Sequence, residues 1–144
     1  FTIQPENWCG DYKISEEEKY IGLDKSTALD CFDYNLVGEK ALNLAKIAPK
    51  VAIDTKTYVK EELITYKDTT CFAENRHILK GGSFVMDYAP SVYICLEGDA
   101  EIVGDNYNKK IGKGDYFFLP YAAEGKFKVQ GTAVLIECLP SKQD

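Results

Sequence analysis

Few residues in this chain could do chemistry. His77 is the single histidine. It lies in Glu74-Asn75-Arg76-His77-Ile78-Leu79-Lys80-Gly81, a run that reads as a strand. An imidazole there can act as a general base, but an ordinary strand position accounts for it more simply. Any Ser/His/Asp or Cys/His nucleophile set would have to use this one imidazole, so acyl transfer has little support. Lys80-Gly81-Gly82 can cradle a phosphate on bare backbone; a hairpin turn is the plainer reading. There is no GxxxxGK[ST], and no GxGxxG opens a helix, so nucleotide binding has no motif behind it. Tyr88, Tyr93, Tyr107, Tyr116 and Tyr121 can stack on a sugar ring, or simply pack, since strands favour aromatics. From these residues no catalytic, cofactor-binding or metal-ligating position is assigned.

The elements that must position such residues fall into two textures. The chain has 144 residues, 45% hydrophobic and 28% charged, which suits one globular domain with an extension. Its net charge of −6 argues against nonspecific binding to nucleic acid or anionic membrane. No apolar run approaches the roughly 20 residues of a spanning helix. The start on Phe1-Thr2-Ile3 instead of Met predicts a piece of a longer protein. Cys9, Cys31, Cys71, Cys95 and Cys138 contain no CxxC and are odd in number, which fits free thiols in a reduced, cytoplasmic protein.

Residues 1–57 read as a helical segment. Ser15 and Glu18 form a capping-box pattern. Asp24-Lys25-Ser26-Thr27 opens a second short helix, and Glu39–Ala48 a third, stopped by Pro49. The stretch Val51–Thr57 is the expected joint. Residues 58–144 read as seven or eight short strands separated by Gly81-Gly82, Gly104-Asp105, Gly112 to Gly114 and Gly131, the spacing of a jelly roll. The expected core is Phe117, Leu119, Val134, Ile136, Ile94, Ile102 and Val85.

Within this region Gly98–Pro120 reads strand, turn, strand, and then a Gly-x5-Pro step from Gly114 to Pro120. The stretch resembles the cupins, so the fold expected is mainly β: an RmlC-like jelly-roll barrel behind an N-terminal helical segment. In metal-binding cupins two His and a Glu come from the first strand pair and one His from the second. The resemblance maps the Glu to Glu97, seven residues before Gly104. The paired His positions fall on Ser91 and Tyr93, or on Pro90 and Val92, and the last His on Gly125, with Ala122 where a Gly is usual. One ligand of four survives, and a lone carboxylate does not hold a transition metal against water. Glu97 then reads as a turn or rim residue, and no metal is expected in this chain.

The segment ENWCGDYKISEEEKYIGLDKSTALDCFDY, the helix GEKALNLAKIAP and the ending GKGDYFFLPYAAEGKFKVQGTAVLIECLP together resemble the C-terminal part of type I mannose-6-phosphate isomerases. That resemblance implies an enzyme interconverting mannose 6-phosphate and fructose 6-phosphate, with zinc held in an earlier cupin by motifs absent here. This chain would be its noncatalytic, structural portion, and its partner the upstream catalytic half. A second reading is a free-standing metal-free cupin that binds a sugar or pairs with a second copy of itself. Neither reading involves nucleic acid or membrane.

Overall fold

The computed structural model describes residues 10–142. Cys9 and the strand-like start at Phe1 lie outside the described residues. The chain divides into two compact units, Phe1–Lys46 and Ile47–Asp144. Among the described residues no helix is long and apolar enough to cross a membrane.

The first unit holds three short helices: α1 (Glu16–Lys19), α2 (Lys25–Asp30) and α3 (Gly38–Ala45). Each of the first two starts where a side chain can take up free backbone N–H groups. The Ser15 Oγ accepts from Glu18 N at 3.2 Å and Glu18 Oε2 accepts from Ser15 N at 2.8 Å, closing the capping box. The Asp24 Oδ1 accepts from Ser26 N and Thr27 N. Helix α3 ends at Ala45, short of the expected Ala48, because Lys46 is already extended and the chain straightens toward Pro49.

The second unit is a single antiparallel sheet. Its strands are β1 (Lys50–Asp54), β2 (Tyr58–Ile64), β3 (Ala73–Val85), β4 (Ser91–Gly104), β5 (Tyr107–Gly112), β6 (Tyr116–Leu119) and β7 (Phe127–Leu139). They run in the order β1-β2-β3-β7-β4-β5, with β6 paired to β4. The strand region therefore begins before Tyr58. The stretch taken for a joint is β1 and its hairpin turn, closed by Thr55 N donating to Tyr58 O at 2.9 Å. The boundary belongs near residue 46, not 57.

The strands are also fewer and longer than their glycines suggested. Gly81-Gly82, Gly98 and Gly131 bend continuous strands instead of ending them. The first half of β4 pairs with β6 and its second half with β5, so β4 folds from one layer of the barrel into the other near Gly98. A Cβ at Gly98 would lie 2.2 Å from the Thr132 carbonyl oxygen, at a φ of +76° that side chains rarely adopt. This contact lets β4 and β7 stay paired through the fold.

The core is lined by Leu79, Phe84, Met86, Tyr93, Cys95, Ile102, Val129, Leu135 and their neighbours. Of the seven residues expected inside, Leu119 and Ile102 are buried and Phe117 packs partly against the core. Val134 and Ile136 are half-buried. Ile94 and Val85 face out, 36% and 52% exposed. The phase was misjudged because β4 and β7 are apolar on both faces, so period-2 alternation does not say which side is in.

We expect Gly98→Ala to cost about 2–4 kcal/mol, since backbone must move to admit the methyl group. Gly112→Ala, whose Cβ would meet the flexible Asp99 carboxylate at 3.2 Å and the Gly98 carbonyl oxygen at an ordinary 3.9 Å, should cost under about 1 kcal/mol. Urea unfolding of the two variants measures both; equal midpoints would contradict this account of the bend.

Candidate functional site

Strand register brings polar side chains together inside the barrel. Glu137 on β7 is paired with Asn75 on β3 and with Tyr93 on β4. Cross-strand partners share a face, with Cβ atoms about 5 Å apart, so these three form one inward row. His77, two residues along from Asn75, points the same way, and Lys60 on β2 is its partner. Asn75, His77, Tyr93 and Glu137 are each buried, with Glu137 only 2% exposed.

The contacts converge on one carboxylate. Its Oε2 accepts from Asn75 Nδ2 at 2.7 Å and from His77 Nε2 at 3.1 Å, with Lys60 Nζ at 4.0 Å. Its Oε1 accepts from the Tyr93 hydroxyl at 2.5 Å. The other ring nitrogen, His77 Nδ1, lies 2.8 Å from the Tyr58 hydroxyl. The imidazole is stacked on Phe84 with centroids 4.0 Å apart, and Tyr93 on Phe117 at 5.2 Å.

Burial pushes the Glu137 carboxyl up, but the bond and charge of His77, then the bonds from Tyr93 and Asn75, outweigh it and hold the group at about 2. Glu137 is therefore ionised and only accepts, so Nε2 of His77 carries hydrogen. Nδ1 accepts from the Tyr58 hydroxyl when the ring is neutral and donates to the Tyr58 oxygen when the ring is charged. Burial and the Glu137 charge push the Tyr58 and Tyr93 phenols well above their usual range, which keeps both as neutral donors. The result is a relay from Tyr58 through His77 to Glu137, closed at its far end by Tyr93 and Asn75. Among the described residues no buried side-chain nitrogen or oxygen lacks a partner.

A transition metal does not fit this interior. It offers one imidazole and one carboxylate, already bonded to each other, and among the described residues no group of three His, Cys, Asp or Glu could hold an ion. Of the positions that the cupin resemblance singled out, Ser91 and Tyr93 point inward while Val92 faces out. The Ser91 hydroxyl donates to the Tyr88 carbonyl at 2.9 Å. Glu97 is exposed, beside a register shift in β4. Gly125 lies in the turn before β7 with φ +70°. Lys80-Gly81-Gly82 is a strand bend, not a hairpin. Tyr66 and Tyr88 touch hydroxyl to hydroxyl at 3.4 Å, Tyr107 packs edge-on against Phe127, and Tyr116 and Tyr121 are exposed. Cys31, Cys71, Cys95 and Cys138 are free thiols.

Sequence reasoning left His77 as an ordinary strand residue and passed over Glu137, Asn75, Tyr58 and Lys60. A signal was present. Glu137 interrupts the apolar run Val134-Leu135-Ile136-Glu137-Cys138-Leu139, and a carboxylate buried in a strand needs partners.

Openings adjoin the barrel. One is a groove of about 930 Å³ at the bend, walled by Tyr58, Glu101, Lys110 and Gln130 among others. Another is an apolar pocket of about 340 Å³ lined chiefly by Met86, Ile102, Phe117, Leu119 and Phe127.

No protein-family model matches the chain, and no curated protein matches it. Solved structures do. The ectoine synthase from P. lautus matches 62% of this chain and 67% of its own, with 24% identity and a TM-score of 0.51. The mannose 6-phosphate isomerase from Bacillus subtilis matches 78% of this chain at 18% identity and a TM-score of 0.59. This chain spans only 33% of that isomerase. An RmlC-like cupin from Shewanella frigidimarina matches 67% of this chain at 18% identity and a TM-score of 0.50. At these identities the likeness is one of fold: the strand unit is an RmlC-like cupin barrel.

The depressed Glu137 value makes stability depend on acid. The folded value of about 2 lies below the roughly 4.3 of an unfolded glutamate, so the contribution is complete above pH ~4.3 and is lost as pH falls toward 2. Its size is of order 3 kcal/mol. Unfolding free energies measured from neutral pH to pH 2 should fall less steeply in Glu137→Gln than in the parent. His77→Ala, which strips a buried charge of a partner, should cost roughly 3–5 kcal/mol at neutral pH. Parallel pH profiles for parent and Glu137→Gln would contradict the assignment.

Proposed function

We propose that this chain is the metal-free cupin portion of a cytoplasmic enzyme of the mannose 6-phosphate isomerase type, structural and not itself catalytic. Its partner is the zinc-bearing catalytic half upstream in the same polypeptide. The observation that carries this reading is a polar interior whose groups are bonded to one another. The carboxylate and imidazole that a barrel site would use are spent on each other and on Asn75, Tyr93 and Tyr58. Two further points support it. The Gly114…Pro120 step and the final strand resemble the ending of those isomerases. The match to the B. subtilis isomerase also covers more residues than the strand unit holds, so it runs into the helical unit.

Aldose–ketose isomerisation moves a proton between C1 and C2, which needs an accessible base and an electrophile on the carbonyl oxygen. In this barrel His77 is 2% exposed and its two nitrogens face Tyr58 and Glu137. The network holds its protons in place and presents none to a substrate. Its role here is to tie β2, β3, β4 and β7 together and give the catalytic half a rigid neighbour.

In a coupled assay for fructose 6-phosphate, the chain alone should show no turnover of mannose 6-phosphate, and adding the upstream half should produce it. Elemental analysis after dialysis should find well under one transition metal per chain. Turnover by the chain alone that disappears in His77→Ala would overturn the reading, as would a full retained equivalent of zinc.

A further inference from the structure

The two layers of the barrel part along one side. Strand β5 pairs with the second half of β4 and β6 with its first half, and β5 and β6 are not paired to each other. The apolar pocket of about 340 Å³ is lined from both of these strands. Strand register identifies the side chains that wall it. Ile111 of β5 is opposite the buried Ala100, and Phe117 and Leu119 of β6 are opposite the buried Tyr93 and Ser91. Cross-strand partners share a face, so all three point into the barrel. Ile102 and Met86 are buried in the same cluster. The walls are therefore inner-face apolar side chains drawn from both layers.

One residue of that inner face is charged. Lys109 is opposite the buried Ile102 and two residues from the buried Ile111, so it shares their face, whereas Lys110 lies on the outer one. Lys109 lines the pocket and is itself exposed, which places it at the mouth and not on the floor. Among the described residues it forms no ion pair. Asp115 also lines the pocket, but its carboxylate is turned back onto its own turn, where Oδ2 accepts from Gly112 N at 2.8 Å.

These two features select one kind of ligand together. An exposed ammonium alone holds an anion weakly in water, and apolar walls alone take any apolar group. An apolar chamber with a cation at its mouth suits a molecule that is apolar at one end and anionic at the other. The walls favour a ring. Tyr107 packs edge-on against Phe127 at 5.4 Å, and Phe117 is stacked on Tyr93 at 5.2 Å. Aromatic walls fixed in this way attract a further ring beyond the area it buries. At about 340 Å³ the space is near the lower end of small-molecule sites, which run from roughly 300 Å³ upward. We propose that this pocket binds a small aromatic carboxylate, with the ring among Ile102, Ile111, Phe117 and Leu119 and the carboxylate at Lys109. The proposal goes beyond the noncatalytic reading and does not depend on it, since no group in the pocket reacts.

Titration of the whole chain, labelled with nitrogen-15, tests it by amide shifts. The probes are 3-phenylpropionate, its neutral amide 3-phenylpropanamide, and acetate, which has the charge without the ring. We expect saturable shifts at Ile102, Ile111, Phe117 and Ala123 with the acid, binding of the amide roughly three- to tenfold weaker, and no saturable shifts there with acetate. Lys109→Met keeps an unbranched side chain and removes the charge. It should lower the affinity for the acid to that for the amide and leave the amide unchanged. Ala123→Leu, which fills space in the pocket, should weaken both ring ligands, and Lys110→Met on the outer face should weaken neither. Lys109 is exposed, so unaltered spectra away from the pocket will show that its variant folds. Any of four results would overturn the proposal: no saturable shifts with the acid, shifts centred on other residues, equal binding of acid and amide by the parent, or undiminished binding of the acid by Lys109→Met.

Discussion

An ionised carboxylate sits at the centre of this barrel, and the rest of the strand unit is arranged around its requirements. Removing such a group from water costs several kcal/mol unless charge and hydrogen bonds replace the lost hydration. Glu137 receives bonds from Asn75 and His77 on β3 and from Tyr93 on β4, with Lys60 on β2 close by. The hydrogen-bond donors come from two strands besides its own, and the ammonium from a third. A slip of β3 by one residue against β7 would turn Asn75 and His77 outward and leave the carboxylate buried without them. Satisfying Glu137 therefore requires the native register across the layer.

The bends provide a second constraint of the same kind. Strands β3, β4 and β7 each run through both layers of the barrel, and they fold where Gly82, Gly98 and Gly131 let backbones approach closely. The register shifts in β3 and β4 fall at these places. One layer then brings His77 beneath Phe84 of the other, so the polar network is packed as well as hydrogen-bonded. Network and bend depend on each other, because the stack exists only if the strand folds over.

Around the relay the polar atoms are matched within the protein: among the described residues no buried side-chain nitrogen or oxygen lacks a partner. On the function proposed above, such a barrel contributes shape and a fixed surface to the enzyme without contributing a reacting group.

The sequence by itself determined the secondary-structure texture, the two helix caps and the antiparallel barrel. These rest on local signals: capping residues, short apolar runs and glycine turns. Tertiary structure alone decided which face of β4 and β7 is inside, since Ile94 and Tyr93 are equally suited to a buried strand position and only packing against the opposite layer separates them. It also decided that Gly82, Gly98 and Gly131 bend strands instead of ending them, because a close backbone approach is made by a distant strand. The partnership of His77 with Glu137 was beyond local reading for the same reason. The residues are 60 apart in the chain, and register, which is a property of the whole sheet, is what joins them.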